Sequence, residues 1–228
     1  MKLEEKLSVK FNKPELLQQA LTHRSFLNEN SNFSLEHNER LEFLGDAVLE
    51  LVVTEYLYRN YPNPEGELTS WRAALVNAKK LAEVAEVLDI NDFLLLSRGE
   101  AKDSGRARQY ILANAFEALV GAIYLDQGFE ASKNFLESRL INYLPEILKS
   151  GMYRDAKSSF QEEAQERVGI TPSYEVIDEW GPDHAKQFKI GVFLDEELVA
   201  EGQGNSKQEA QQKAAEEALR AKGWNNNK

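Results

Sequence analysis

Residues 38–51 read NERLEFLGDAVLEL, and the interpretation of the whole chain turns on them. Glu39, Glu42 and Asp46 stand at offsets 0, 3 and 7. On an α-helix of about 3.6 residues per turn these offsets fall within one narrow stripe. The neighbours Leu41, Phe43, Leu44, Ala47, Val48, Leu49, Leu51, Val52 and Val53 are apolar. The segment therefore reads as a buried helix, apolar almost all round, running from about Glu39 to Arg59. Carboxylates that lose their hydration need a partner, and a stripe of three in such a setting points to a divalent metal ion. Solvated charges on an amphipathic helix are the usual meaning of a Glu i,i+3 pair, and the apolar surround argues against that meaning here.

A second apolar helix, from about Gln109 to Leu125, carries ILANAFEALVGAIYLD, with Asn114 and Glu117 spaced i,i+3. Two buried helices that each present side-chain oxygens can converge into a cage. Hard cations such as Mg²⁺, for which Mn²⁺ can stand in, prefer such oxygen ligands. A metal held there would polarise a phosphoryl oxygen, lower the pKa of a bound water and stabilise a leaving 3′ oxygen. A carboxylate pair can also serve a glycosidase, but no aromatic-rich sugar cleft accompanies this one.

At 228 residues the chain suits one or two domains with a real core. No apolar run approaches the roughly 20 residues of a membrane span. The N-terminal MKLEEKLSVKF lacks the apolar core of a signal peptide. The absence of cysteine excludes disulfides and thiolate metal sites and fits a cytoplasmic protein. His23, His37 and His184 are too scattered to suggest zinc by spacing. With a net charge of −11, any phosphate-binding surface must be a local patch on an acidic background.

Pro14 opens a short helix, PELLQQALTH, and the Asn/Ser-rich stretch from Ser25 to Phe33 reads as a loop. YPNPEG ends the acidic helix, and Glu67–Leu88 is helical with a break near Asn77. Asp92–Ser97 is short and apolar, RGEAKDSGRAR reads as a loop, and a third helix spans Phe129 to Leu144. An all-α domain over residues 1–146 and a linker over 147–154 follow from this pattern. From 155 to 224 the pattern changes to a helix (Lys157–Val168), the alternating stretches SYEVIDEW, KQFKIGVFL and ELVAEGQG, and a final helix. That helix, Ser206–Ala221, has an alanine stripe at Ala210, Ala214, Ala215 and Ala218. The fold class is thus an all-α domain followed by an α+β module of order α-β-β-β-α.

NERLEFLGDAVL resembles the signature of bacterial ribonuclease III, and ILANAFEALVGAIYLD resembles that family's second acidic motif, in the same order and spacing. The C-terminal module is similar to the family's double-stranded-RNA-binding domain, so the resemblance spans nearly the whole chain. It implies an all-α endonuclease acting on double-stranded RNA as a homodimer with two cutting centres, leaving 5′-phosphate and 3′-hydroxyl ends with a short 3′ overhang. It further implies that Glu42, Asp46, Asn114 and Glu117 form the metal cluster, and that Glu39 and Glu65 line an RNA-facing acidic groove. Phe43 would be a knob inserted into the partner subunit. Processing of ribosomal and other RNA precursors would be the role. The family usually carries Asp where this chain has Asn114, so the site has one negative charge fewer. A cleavage-impaired double-stranded-RNA-binding protein is the alternative which that substitution raises.

The C-terminal module can be read on its own chemistry. Duplex RNA is gripped through 2′-hydroxyls and phosphates across roughly 16 base pairs. Gln161, Glu162 and Gln165 could bond 2′-hydroxyls, and His184 in the GPDH loop could reach the next minor groove. Ser206 and Lys207 open the last helix, whose free N–H groups favour phosphate, and Lys213 extends that patch. Against this stand nine Lys+Arg and fifteen Asp+Glu in residues 155–228, and a glutamine, Gln208, where the family usually has a second lysine. Few phosphate contacts imply weak, salt-sensitive binding. Trp71 and Trp180 read as packing residues rather than stacking platforms, while Arg106 and Arg108 could touch phosphate or balance nearby acids. An all-α protein-interaction scaffold would bind no RNA at any salt concentration.

Overall fold

In a computed structural model, residues 2–150, 156–182 and 186–224 are described, and the chain divides into two compact units, Met1–Tyr153 and Arg154–Lys228. The first is built on two helices of 22 residues each, α4 (Glu39–Asn60) and α7 (Arg106–Gln127). Around them lie α1 (Lys2–Leu7), α2 (Pro14–Ala20), α3 (Arg24–Glu29), α5 (Glu65–Val76), α6 (Ala78–Val87), α8 (Phe129–Arg139) and α9 (Leu144–Ser150). Leu3, Leu7, Leu17, Leu75, Leu81, Leu136 and Ile147 join the interior of α4 and α7 in one core.

Two glycines set the crossing of α4 and α7. A Cβ on Gly45 would lie 1.7 Å from the carbonyl oxygen of Glu117, and one on Gly121 would lie 2.2 Å from that of Leu41. Mid-helix glycine costs about 1 kcal/mol relative to alanine. Here it lets two backbones touch, and the packing on either side of the contact offsets that cost.

The break near Asn77 is present and has a cause. The Asn77 side chain accepts from the Lys80 N–H at 3.0 Å and so caps α6, while its amide donates to the carbonyls of Ala73 and Ala74 at the end of α5. The expected loop RGEAKDSGRAR is shorter than its composition suggests. It contains a single 3₁₀ turn, and α7 begins at Arg106, with Gly105 at φ 74° turning the chain into the helix. Arg106 and Arg108 are therefore first-turn helix residues. The expected helix to Leu144 ends at Arg139, and a 3₁₀ turn at Ile141–Tyr143 precedes α9. Pro145 sits in the first turn of α9, where its missing N–H costs nothing. Residues 147–150, expected to be linker, continue that helix, and Ile147 is buried in the core; residues 151–154 of that linker lie outside the described residues.

The second unit contains α10 (Ala156–Val168), β1 (Ser173–Trp180), β2 (Gln187–Leu194), β3 (Glu197–Gly204) and α11 (Lys207–Ala221). Its three strands form an antiparallel sheet in the order β1-β2-β3. Ala210, Ala214, Ala215 and Ala218 are fully buried, and α11 lies so close to β3 that a Cβ on Gly202 would meet the Ala214 nitrogen at 2.2 Å. Phe160 stacks on Trp224 at 5.5 Å beneath the same helix. Trp71 is core, edge-on to Tyr61 at 5.1 Å. Trp180 is not: it ends an edge strand and is 41% exposed. No helix among the described residues is long and apolar enough to cross a membrane.

Candidate functional site

The start of α4 is pinned by its own preceding residue. Asn38 is buried, its N–H donates to the Thr22 carbonyl at 2.9 Å, and its Nδ2 donates to the Ala20 carbonyl at 3.3 Å. Its own carbonyl accepts from the Glu42 N–H at 2.9 Å, the first bond of the helix. Burial, two backbone hydrogen bonds and one from the side-chain amide therefore fix the rotation of α4, and with it the direction of the carboxylates one and two turns on.

Beyond Asn38 the helix is two-faced, which corrects the expectation of burial all round. Leu41, Gly45, Val48, Leu49, Val52, Val53 and Leu57 are buried, whereas Phe43, Leu51 and Tyr58 are 82%, 57% and 80% exposed. Glu42 is half-buried, and Glu39 and Asp46 are exposed. The acidic stripe thus lies along the boundary between core and solvent, beside an exposed apolar stripe at Phe43, Ala47, Leu51 and Tyr58.

From the other side α7 contributes Asn114 and Glu117, half-buried among fully buried neighbours. Gly121 is one turn beyond Glu117 on the same face, and Gly45 lies between Glu42 and Asp46. The glycine contact therefore sets Glu117 against both α4 carboxylates. The electrostatics record this proximity: burial first, then the charges of Asp46 and Glu42, push the Glu117 carboxyl up to about 7. Glu42 is raised as well, by burial and by the charges of Glu39 and Asp46, and is partly relieved by a hydrogen bond donated by the Asn114 amide. Glu39 has the Arg24 guanidinium at 3.5 Å and the His37 imidazole at 3.9 Å.

Glu42, Asp46 and Glu117 take part in none of the ion pairs among the described residues. No three acidic or imidazole groups among those residues stand close enough together to enclose an ion as they lie. The donor set is nevertheless oxygen-only, partly desolvated and uncompensated in charge. That is the chemistry a hard divalent cation relieves, so the residues fit such an ion.

The other expected residues are distributed as follows. Glu65 is the first residue of α5, is exposed and accepts from the Thr69 hydroxyl at 3.0 Å. In the second unit Gln161, Glu162 and Gln165 form one exposed face of α10, opposite the buried Phe160 and Ala164. Gln165 accepts from the Thr171 hydroxyl at 3.2 Å. Ser206 caps α11 by accepting from the Glu209 N–H at 3.1 Å. Lys207 is exposed, its Nζ 5.7 Å above the Phe188 ring. Lys213 is exposed and paired with Glu209 at 2.8 Å. His184 lies outside the described residues. Sequence reasoning missed the positioning residues Asn38, Gly45 and Gly121. The two glycines carried a signal, since each interrupts an otherwise apolar helix where alanine would be favoured.

Comparison with known proteins agrees with this division. The family model described as Ribonuclease-III-like matches residues 13–144, and that described as Double-stranded RNA binding motif matches residues 156–222. Among named relatives, Ribonuclease 3 of Desulforamulus reducens is 46% identical over 96% of this chain and 89% of its own length. Ribonuclease 3 of Nitratiruptor is 44% identical over 95% and 94%. A solved nuclease domain of ribonuclease III from Campylobacter jejuni, described as flexible in a region involved in dimer formation, is also similar. It is 44% identical, has a TM-score of 0.57 and covers 63% of this chain and 97% of that domain.

Proposed function

The chain belongs to the ribonuclease III family, and from that premise we propose that it is a metal-dependent homodimeric endoribonuclease in which Glu42, Asp46, Asn114 and Glu117 hold Mg²⁺ or Mn²⁺. The first unit does the cutting and the second grips the duplex. The observation that carries the assignment is Glu117: a half-buried carboxyl without a cationic partner among the described residues, raised to about 7 by burial and two facing carboxylates.

Each residue has a task in this reading. Near neutral pH Glu117 holds its proton about half the time, and a bound cation would favour its release. When bound, the ion would supply charge neutralisation and water activation at the scissile phosphodiester. Asp46, exposed at the open flank, faces incoming substrate, and Glu117 anchors the inner side. Glu39 and Glu65 line the path of the RNA. Gln161, Glu162, Gln165 and His184 take 2′-hydroxyls, while Ser206, Lys207 and Lys213 present the α11 N-terminus to phosphate. The exposed stripe on α4, next to a groove of about 650 Å³ lined in part by Leu16, Leu41, Leu44 and Leu125, supports a two-fold interface into which Phe43 inserts. Maturation of ribosomal and messenger RNA precursors in the cytoplasm fits an enzyme of this class.

Incubating the full chain with a long RNA duplex tests the reading. Mg²⁺ or Mn²⁺ should yield short duplexes with 5′-phosphate and 3′-hydroxyl ends, and EDTA should stop the reaction. Equal cleavage in EDTA would overturn the metal assignment. A second reading, a duplex-binding protein with a crippled nuclease, rests on Asn114, whose amide donates to Glu42 instead of adding a negative charge. Binding without cutting, together with a large gain in rate on Asn114→Asp, would establish it.

A further inference from the structure

The sheet of the second unit has a face that the nuclease reading leaves unused. Val192, Leu194, Ala200 and Tyr174 point to the helices and form the core of this unit. Strand alternation therefore turns Gly191 and Phe193 to the opposite side. The register places Leu198 beside Phe193, and Glu175 and Glu201 on either side of Gly191.

At Gly191 three side chains converge, one from each strand. An added Cβ there would lie 2.8 Å from Ile177 Cδ1, 2.8 Å from Leu198 Cδ1 and 2.9 Å from the Phe193 ring. Ile177 and Leu198 are nonetheless 43% and 44% exposed. A glycine under three large apolar groups leaves a packed apolar cluster standing on the solvent side of the sheet, where polar residues are the norm.

The surroundings of this cluster are acidic. Glu175 and Asp178 lie on the same face, and Asp195 and Glu196 form the turn that joins β2 to β3; none of them has an ion pair among the described residues. Among the described residues Lys189 is the cation on that face, opposite Asp178 by the same register, and Glu201 engages it at 2.6 Å. An apolar cluster with a net acidic rim repels RNA phosphate and repels a second copy of this acidic chain. It complements a cationic surface that carries apolar side chains.

We propose that the outer face of the sheet docks a cationic, apolar-bearing segment of another protein, a basic RNA-associated protein being the chemical type. The face is opposite the helices assigned to duplex binding. The same unit could then hold RNA on one side and its basic companion on the other.

The test uses the full chain with labelled Ile, Leu and Val methyl groups, titrated at low salt with a synthetic peptide of alternating Lys and Leu. The methyl signals of Ile177 and Leu198 should move and saturate, and Glu175→Lys with Asp178→Lys should weaken binding at least tenfold. Duplex-RNA binding by that variant, unchanged or improved, shows that the unit remains folded. The proposal is overturned if those methyls stay still up to about 1 mM peptide, the millimolar edge of meaningful affinity. It is also overturned if a Glu/Leu peptide binds equally, if the charge variant binds as tightly as the parent, or if a short RNA duplex moves the same signals.

Discussion

Glu117→Gln should make the metal-free protein more stable at alkaline pH, although it removes a group central to the proposed chemistry. The Glu117 carboxyl is raised from 4.5 to about 7 by burial and by Asp46 and Glu42. A carboxyl whose folded pKa lies above its unfolded value is penalised as pH rises between the two, and the penalty is complete above the folded value. Below about 4.5 the penalty vanishes, because both states are protonated. Linkage over this shift gives about 3 kcal/mol near pH 8 and about 1 kcal/mol near pH 5. Solvent screening of a half-buried group trims the difference between the two pH values to about 1–2 kcal/mol. For a protein of this size that makes the Tm gain in EDTA about 3–6 °C larger near pH 8 than near pH 5. Differential scanning calorimetry at the two pH values reads it directly. A Tm gain that is absent, or equal at both pH values, would refute the view that Glu117 is held against facing charges.

Gly121→Ala drives a Cβ to within 2.2 Å of the Leu41 carbonyl oxygen, and should cost about 3 kcal/mol by overpacking; the matching loss of about 6–12 °C is read in the same calorimeter. Phe43→Asp puts a charge on a side chain that is 82% exposed, so the monomer should keep its fold while sedimentation reports loss of the dimer. Lys207→Glu removes the exposed cation at the α11 N-terminus. Duplex affinity should fall roughly equally for all sequences, and the slope of log affinity against log salt should flatten by about 1 or more.

Much of this architecture was legible because local pattern and tertiary need coincide. β1 and β3 occupy the residues expected of them, Ser173–Trp180 and Glu197–Gly204, since period-two alternation there is bounded by turns. The alanine stripe of α11 announces a helix packed closely on a sheet, and the glycines at 202 and 204 complete that contact. The failures have a common physical origin. Large apolar residues left on the surface look like core residues in a sequence, so α4 read as buried although Phe43, Leu51 and Tyr58 are exposed. Trp180 misled in the same way. The first turn of α7 was invisible because Arg106 and Arg108 carry no apolar periodicity and the turn-forming Gly105 stands just before them. Residues 147–150 read as linker, although they continue the helix that Leu144 and Pro145 open. The association of Glu42 and Asp46 with Glu117 was foreseeable from carboxylates set in apolar helices. The hydrogen bond from Asn114 to Glu42 was not, because it depends on the rotation of α4 that Asn38 fixes.

In the proposed division of labour the α4–α7 carboxylates do the cutting while the second unit does the binding. Single-turnover cleavage of a long RNA duplex by Glu117→Gln in Mg²⁺, with duplex binding measured on the same preparation in Ca²⁺, tests it most directly. Cleavage should fall to background and affinity should stay within about twofold of the parent, since RNA contacts carry that affinity. Cleavage at the parental rate with intact binding would contradict it.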